Sequence, residues 1–250
     1  MIKTKEEIKK IKEAGKINFL THKHVEKLIK PGITTKYLND EAEKFIRENG
    51  GIPSFLNYQG FKGSICTSVN DEIVHGIPGN RILKNGDIIS VDIGVLKDGY
   101  HSDSARTYPV GDIDKEKERL IYHTEKMLYV GLKEIKAGVH LHNIGAAIEK
   151  YAKKHGYSVV KELVGHGIGK SLHEDPDVPN YGKKNTGIVL KEGMVLAVEP
   201  MINSGLRHIN LLEDEWTITT RDGKPSAHFE HTVVVTKNGY EILTGEWKSG

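Results

Sequence analysis

Ten residues are written almost twice in this chain: LKNGDIISVD at 83–92 and LKEGMVLAVE at 190–199. Each copy is a loop that turns into an apolar, β-branched run, and each run ends on a carboxylate, Asp92 or Glu199. Such a run reads as a buried strand. A carboxylate at its end is costly unless something cationic meets it. Two carboxylates at equivalent places of a repeated unit therefore predict one shared cation site on the axis that relates the copies.

The repeat extends further. IKPGITTKYLNDEAEKFIRENG at 29–50 aligns with IKAGVHLHNIGAAIEKYAKKHG at 135–156, at an offset of 106 against 107 for the strand pair. Each segment is a turn followed by an amphipathic helix that a Gly closes. No Pro- or Ser-rich linker parts the halves. Residues 1–250 therefore read as a single domain of two pseudo-symmetric halves, about 1–115 and 116–250. Helices are predicted at 3–30 and 35–49, then strands to about 110, then helices at 115–136 and 141–155, then strands to the end. Helices then strands, twice, predicts an α+β fold with helices on the outer face of a largely antiparallel sheet.

Bulk properties narrow the function classes. A net charge of +2 gives no argument for a nucleic acid or a membrane partner. The one cysteine, Cys66, excludes an internal disulfide and fits a reducing compartment. The charged N-terminus has no apolar signal region, and no apolar stretch approaches the ~20 residues of a membrane helix. A soluble cytoplasmic protein is expected. The Lys-rich first thirty residues read as a solvated amphipathic helix. Transient contact with RNA or a ribosome is the other use that such a segment allows.

The chemistry concentrates in a few positions. In VDIGVLKDGYHSDSARTYPV, Asp98-Gly99 is a two-residue hairpin turn signal. Pairing Lys97 with Tyr100 brings Gly94 opposite Asp103, with Asp92 the diagonal neighbour of Asp103 on the same face. Diagonal pairs lie about 7–8 Å apart, so both carboxylates can converge on one centre, and Gly94 is expected to leave that space empty. The second half adds His166 in ELVGHGIGKSLHEDP, His173 seven residues later, Glu199, and Glu230 at the head of a Val-rich strand. Under the repeat, Glu230 plays the part of Asp103. Four carboxylates at one centre cannot all ionise without cations. Four acids and an imidazole suit two divalent ions of the Mn(II), Fe(II), Co(II) or Zn(II) kind, close enough to share a water.

Together, GHGIG at 165–169, the Asp pair of the hairpin, EPM at 199–201 and FEHTVVVT at 229–236 resemble a methionine aminopeptidase, type I, of the pita-bread fold. The likeness spans essentially the whole chain. It implies Asp92, Asp103, His166, Glu199 and Glu230 as metal ligands, with Asp103 and Glu230 bridging both ions. It implies His75 and His173, each in His-x-x-Pro, as active-site histidines that are not ligands. His173 would donate to the developing oxyanion or the amide, His75 would contact the scissile amide or leaving group, and Glu199 would also move the proton. The methionine pocket would be walled by Phe55, Tyr58, Phe61, Cys66, Leu172 and Trp216, apolar contacts suited to a thioether. Cys66 reads as wall rather than nucleophile. The resemblance also implies N-terminal methionine of nascent chains as substrate, a small second residue, a monomer, and a monovalent-cation site near Asn70 and Ser226.

The branch is readable too. No large domain precedes the helices, as prolidases and aminopeptidase P would have, and 25 residues between His173 and Glu199 leave no room for a type II insertion. Rival motifs fail. GHGIGKS has Val164 where a phosphate loop needs Gly, HEDPD is not H-E-x-x-H, and G-x-S-x-G is absent. Two alternatives stand beside the first reading: a non-catalytic binding protein on the same fold, which would have lost ligands, and an Xaa-Pro peptidase, which would cleave ahead of Pro irrespective of Met.

Overall fold

The computed structural model describes residues 2–246. Its first half runs α1 (Lys5–Leu28), α2 (Thr35–Glu48), β1 (Ile52–Pro53), β2 (Cys66–Val69), β3 (Glu72–Val74), β4 (Ile88–Lys97) and β5 (Tyr100–Pro109). The order then recurs with α3 (Lys115–Leu132), α4 (His142–His155), β6 (Ser158–Val159), β7 (Gly165–Gly167), β8 (Glu174–Val178), β9 (Val195–Val198) and β10 (Met201–Asn203). The chain continues through β11 (Ile209–Leu211), β12 (Ile218–Thr220), β13 (Ser226–His228), β14 (His231–Val235) and β15 (Tyr240–Ile242).

Local chemistry sets the helix ends near the expected places. Thr4 and Glu7 form a reciprocal capping box at α1, and Asp114 accepts from the Lys117 N–H at α3. The two closing glycines, Gly50 after α2 and Gly156 after α4, both take the left-handed conformation that stops a helix (φ 74° and 79°).

The paired strands are antiparallel. β4 is flanked by β1, β2 and β5, and the second large sheet runs β15-β14-β9-β7-β8. Alternation sorts β4 into two faces. Ile89, Val91, Ile93 and Val95 pack with Ala14, Ile17, Leu38 and Ile46 of α1 and α2. In the second half Leu196, Val198, Val233 and Val235 pack with Leu120, Leu128, Ile144 and Ile148 of α3 and α4. Each helix pair thus covers one face of its strands and leaves the other face for Asp92 and Glu199.

The structure corrects two details. The strand does not end at Asp92: β4 continues to Lys97, whereas β9 stops at Val198, just before Glu199 and the donor-less Pro200. The space over Gly94 is not empty either. A methyl group there would come within 2.6 Å of Phe55 Cε1 and 2.8 Å of Ser54 Cβ, so Phe55 already fills it. The hairpin register is as expected: Lys97 pairs with Tyr100 and Gly94 with Asp103. No helix of the described residues is long and apolar enough to cross a membrane.

Candidate metal centre

Five elements deliver the expected acids and imidazole to one place. Asp92 comes from β4, Asp103 from β5 and His166 from β7, while Glu199 follows β9 and Glu230 precedes β14. Pairing of His166 with Ala197, and of His231 with Val198, draws the second-half residues together. Two contacts then join the halves. The Glu230 N–H donates to the Ala105 carbonyl (2.9 Å). The Thr232 hydroxyl accepts from the Asp103 N–H (2.9 Å) and donates to the Asp103 carbonyl (2.7 Å). Asp103 is therefore clamped on both backbone groups from the opposite half.

The donor set is buried and underused. Asp103 is 4% exposed and Glu230 2%. Asp92 Oδ1, Asp103 Oδ1 and Glu230 Oε1 are buried without a hydrogen-bond partner. Donor atoms of Asp103, His166 and Glu230 lie within 4.8 Å of one another, as do those of Glu199, His228 and Glu230. His166 Nδ1 lies 2.8 Å from the Gly167 carbonyl, which can only accept, so Nδ1 carries the proton. Its Nε2 then presents a lone pair, 3.6 Å from Glu199 Oε1. A lone pair facing a carboxylate oxygen asks for a cation between them.

Electrostatics agree. Burial pushes Asp103 and Glu230 well above the usual carboxylate range, and neighbouring carboxylates add to it. Burial raises Glu199 to about 8. Asp92 rises to about 6, where burial outweighs the relief that His228 offers. Burial, helped by His173, holds His166 down at about 4. Carboxylates that resist ionisation beside a neutral imidazole are the donor set a divalent cation fits.

Above this floor lies a cavity of about 320 Å³, walled by Phe55, Tyr58, Phe61, Cys66, Leu172 and Trp216, with His75 and His173 on its sides. Phe61 meets Trp216 edge-on, with ring centroids 5.1 Å apart. Tyr58 Oη lies 2.8 Å from His173 Nδ1. His75 takes a left-handed backbone conformation (φ 60°), rare for a residue with a side chain, and burial lowers it to about 4. Burial, with the surrounding carboxylates, pushes the Cys66 thiol well up, so it stays protonated. Asn70 and Ser226 do meet, through Ser226 N–H to the Asn70 carbonyl (2.9 Å).

Residues 9–237 match the description "Metallopeptidase family M24". The chain belongs to this family. Within M24 it groups with the type I methionine aminopeptidases. "Methionine aminopeptidase 1" of Bacillus subtilis is 56% identical over 97% of this chain and 98% of that protein. The crystal structure of methionine aminopeptidase from Rickettsia prowazekii superposes with a TM-score of 0.97 at 46% identity, over 98% of this chain and 99% of that one. An Xaa-Pro dipeptidase from Bacillus anthracis gives a TM-score of 0.80 at 27% identity and covers 99% of this chain but 63% of its own. The M24 fold here is the α+β pita-bread arrangement, and it recurs as part of that longer chain.

His228 is the member of the cluster that sequence reasoning passed over. A signal existed: in SAHFEHT it stands two residues before Glu230, the spacing that gives a common face in extended backbone.

Proposed function

We propose that this M24 chain is a metal-dependent aminopeptidase that removes N-terminal methionine from nascent chains and peptides whose second residue is small. One observation carries the reading: unpartnered buried carboxylates and a neutral imidazole form the floor of a cavity whose walls are aromatic and sulfur-bearing. We assign Asp92, Asp103, His166, Glu199 and Glu230 to hold two divalent ions of the Fe(II), Mn(II), Co(II) or Zn(II) kind. Bound there, such ions supply an acidified water and positive charge at the scissile carbonyl.

The protein's own groups do the rest. Phe55, Tyr58, Phe61, Cys66, Leu172 and Trp216 take the methionine side chain, whose thioether suits soft and aromatic contacts. His173 donates to the developing oxyanion and is oriented by Tyr58. His75 contacts the scissile amide. Glu199 carries a proton from the attacking water to the leaving amine. His75 and His173 narrow the cavity beside the methionine site, which limits the second residue to a small one. In this reading residues 1–250 form one catalytic domain of two pseudo-symmetric halves. It works as a cytoplasmic monomer on chains leaving the ribosome, with a monovalent cation near Asn70 and Ser226.

The test is peptide cleavage by chelator-stripped protein reconstituted with Mn(II), Co(II) or Fe(II). Release of Met from Met-Gly peptides, dependent on metal and absent with Met-Lys and Ala-Pro peptides, is the expected result. Cleavage of Ala-Pro alone would move the chain to the Xaa-Pro peptidases. No cleavage by folded, metal-loaded protein would leave a binding protein.

A further inference from the structure

His228 ends β13, opposite Met201 of β10, and is 1% exposed. Its backbone is held at both groups by one side chain. The His228 N–H donates to Thr107 Oγ1 (2.9 Å), and the Thr107 hydroxyl lies 2.9 Å from the His228 carbonyl. The imidazole therefore starts from a fixed point. Its Nε2 is buried without a hydrogen bond and lies 3.5 Å from Glu199 Oε2. On the other side of the same carboxylate, His166 Nε2 lies 3.6 Å from Oε1.

The two imidazoles that flank Glu199 are not equivalent. His166 has committed its Nδ1 proton to the Gly167 carbonyl, so its Nε2 offers a lone pair. His228 makes no such commitment, and Glu199 Oε2 is the acceptor that its Nε2 faces. A proton on Nε2 gives His228 a partner and gives Oε2 a donor. With Glu199 ionised, as metal binding requires, a lone pair there would leave two acceptors in contact. The backbone carbonyl of Glu199 is fixed as well, by Asn180 Nδ2 at 3.0 Å. The carboxylate itself has no other fixed donor among the described residues, so its rotation depends on His228.

We propose that His228 is a positioning residue: its Nε2–H holds Glu199 Oε2 and so turns Oε1 toward His166 and the cation between them. The inference rests on the metal-centre reading of the same cluster. Partners that orient a ligating carboxylate are worth about 10–100-fold in metal affinity.

Metal-free wild type, His228→Leu and His228→Gln would each be titrated with Co(II), followed by calorimetry and by the visible absorption of the bound ion. His228→Leu is expected to bind Co(II) about 10–100-fold more weakly with an altered spectrum. His228→Gln keeps an N–H donor of similar reach and is expected to recover both affinity and spectrum. Circular dichroism of the metal-free proteins checks folding. If the Leu variant does not fold, His228→Asn makes the same comparison, because its shorter amide falls short of Oε2. Wild-type affinity and spectrum in the Leu or Asn variant would overturn the proposal. So would a Gln variant as weak as Leu, or one that has lost a whole ion, since His228 would then be a ligand. A wild-type protein that binds no divalent ion would sink the metal-centre reading itself and this inference with it.

Discussion

Glu230 faces two conflicting demands. It is 2% exposed, its Oε1 lacks any partner, and Asp103, Glu199 and Asp92 all disfavour its charge. Its donor atoms nevertheless belong to both groups that could hold an ion. Glu230→Gln keeps the shape and removes the charge. Elemental analysis should then find neither ion retained, with methionine release falling by at least about 100-fold, while the metal-free variant unfolds no earlier than wild type because a buried carboxyl that resists ionisation has left the cluster. Two ions per chain in the variant would contradict the shared role. At this scale the four acids were legible because a repeat placed them in pairs, and His166 because it stands in the Gly-rich stretch GHGIG. His228 has a counterpart in the first half, His101 two residues before Asp103, but its meaning depends on a 3.5 Å approach to Glu199 that only folding creates.

The β4–β5 hairpin shows what an element adds. Its register could be read from the turn, where Asp98 and Gly99 both take positive φ (48° and 80°), as a two-residue turn between right-twisted strands requires. What lies over Gly94 could not, because Phe55 arrives from a separate loop. Gly94→Ala places a methyl group against the Phe55 ring and Ser54. Overpacking of this kind should cost about 1–3 kcal/mol in urea unfolding. It should also push Phe55 into the cavity, raising KM for Met-Gly peptides more than it lowers kcat. Unchanged stability and KM would mean that Phe55 yields freely. α1 was legible as an amphipathic helix, but its buried face carries Asn18, Thr21 and His22. Asn18 Nδ2 donates to the Ile93 carbonyl and its Oδ1 accepts from the Ser104 hydroxyl. His22 Nε2 donates to the Ser104 carbonyl (3.0 Å), so its Nδ1, 3.0 Å from Tyr108 Oη, accepts from that phenol. These polar groups grip the strands beside Asp92 and Asp103, and no periodicity in the helix could reveal partners so distant in sequence.

For the molecule as a whole, proton binding and metal binding compete. In the metal-free protein burial raises Asp92 to about 6 and Glu199 to about 8, with Asp103 and Glu230 well above their usual range. Unfolded carboxyls titrate near about 4. Above that pH the folded state holds protons that the unfolded chain has released, so these groups withdraw stability as pH rises from about 4 through about 8. A divalent ion displaces the protons and offsets the loss. The gain in Tm on adding Mn(II) should therefore be small at about pH 5 and larger at about pH 8. Calorimetry in buffers of different ionisation heat should register proton release on binding. A gain that ignores pH would count against the cluster as the binding site. The helix–strand order repeated as the sequence suggested, but strand neighbours across the chain were hidden. β3 of the first half pairs with β12 of the second, a contact between residues more than a hundred positions apart.

The Thr232 clamp on Asp103 sets an order in time. Synthesis makes Asp92 and Asp103 long before the hydroxyl that fixes Asp103, and Glu230 comes only two residues earlier than that hydroxyl. A chain still emerging from the ribosome, with β14 not yet released, holds two unguarded aspartates and no complete centre. In the proposed reading, hydrolytic power therefore waits until late in translation, when Glu230 and the Thr232 clamp complete the centre.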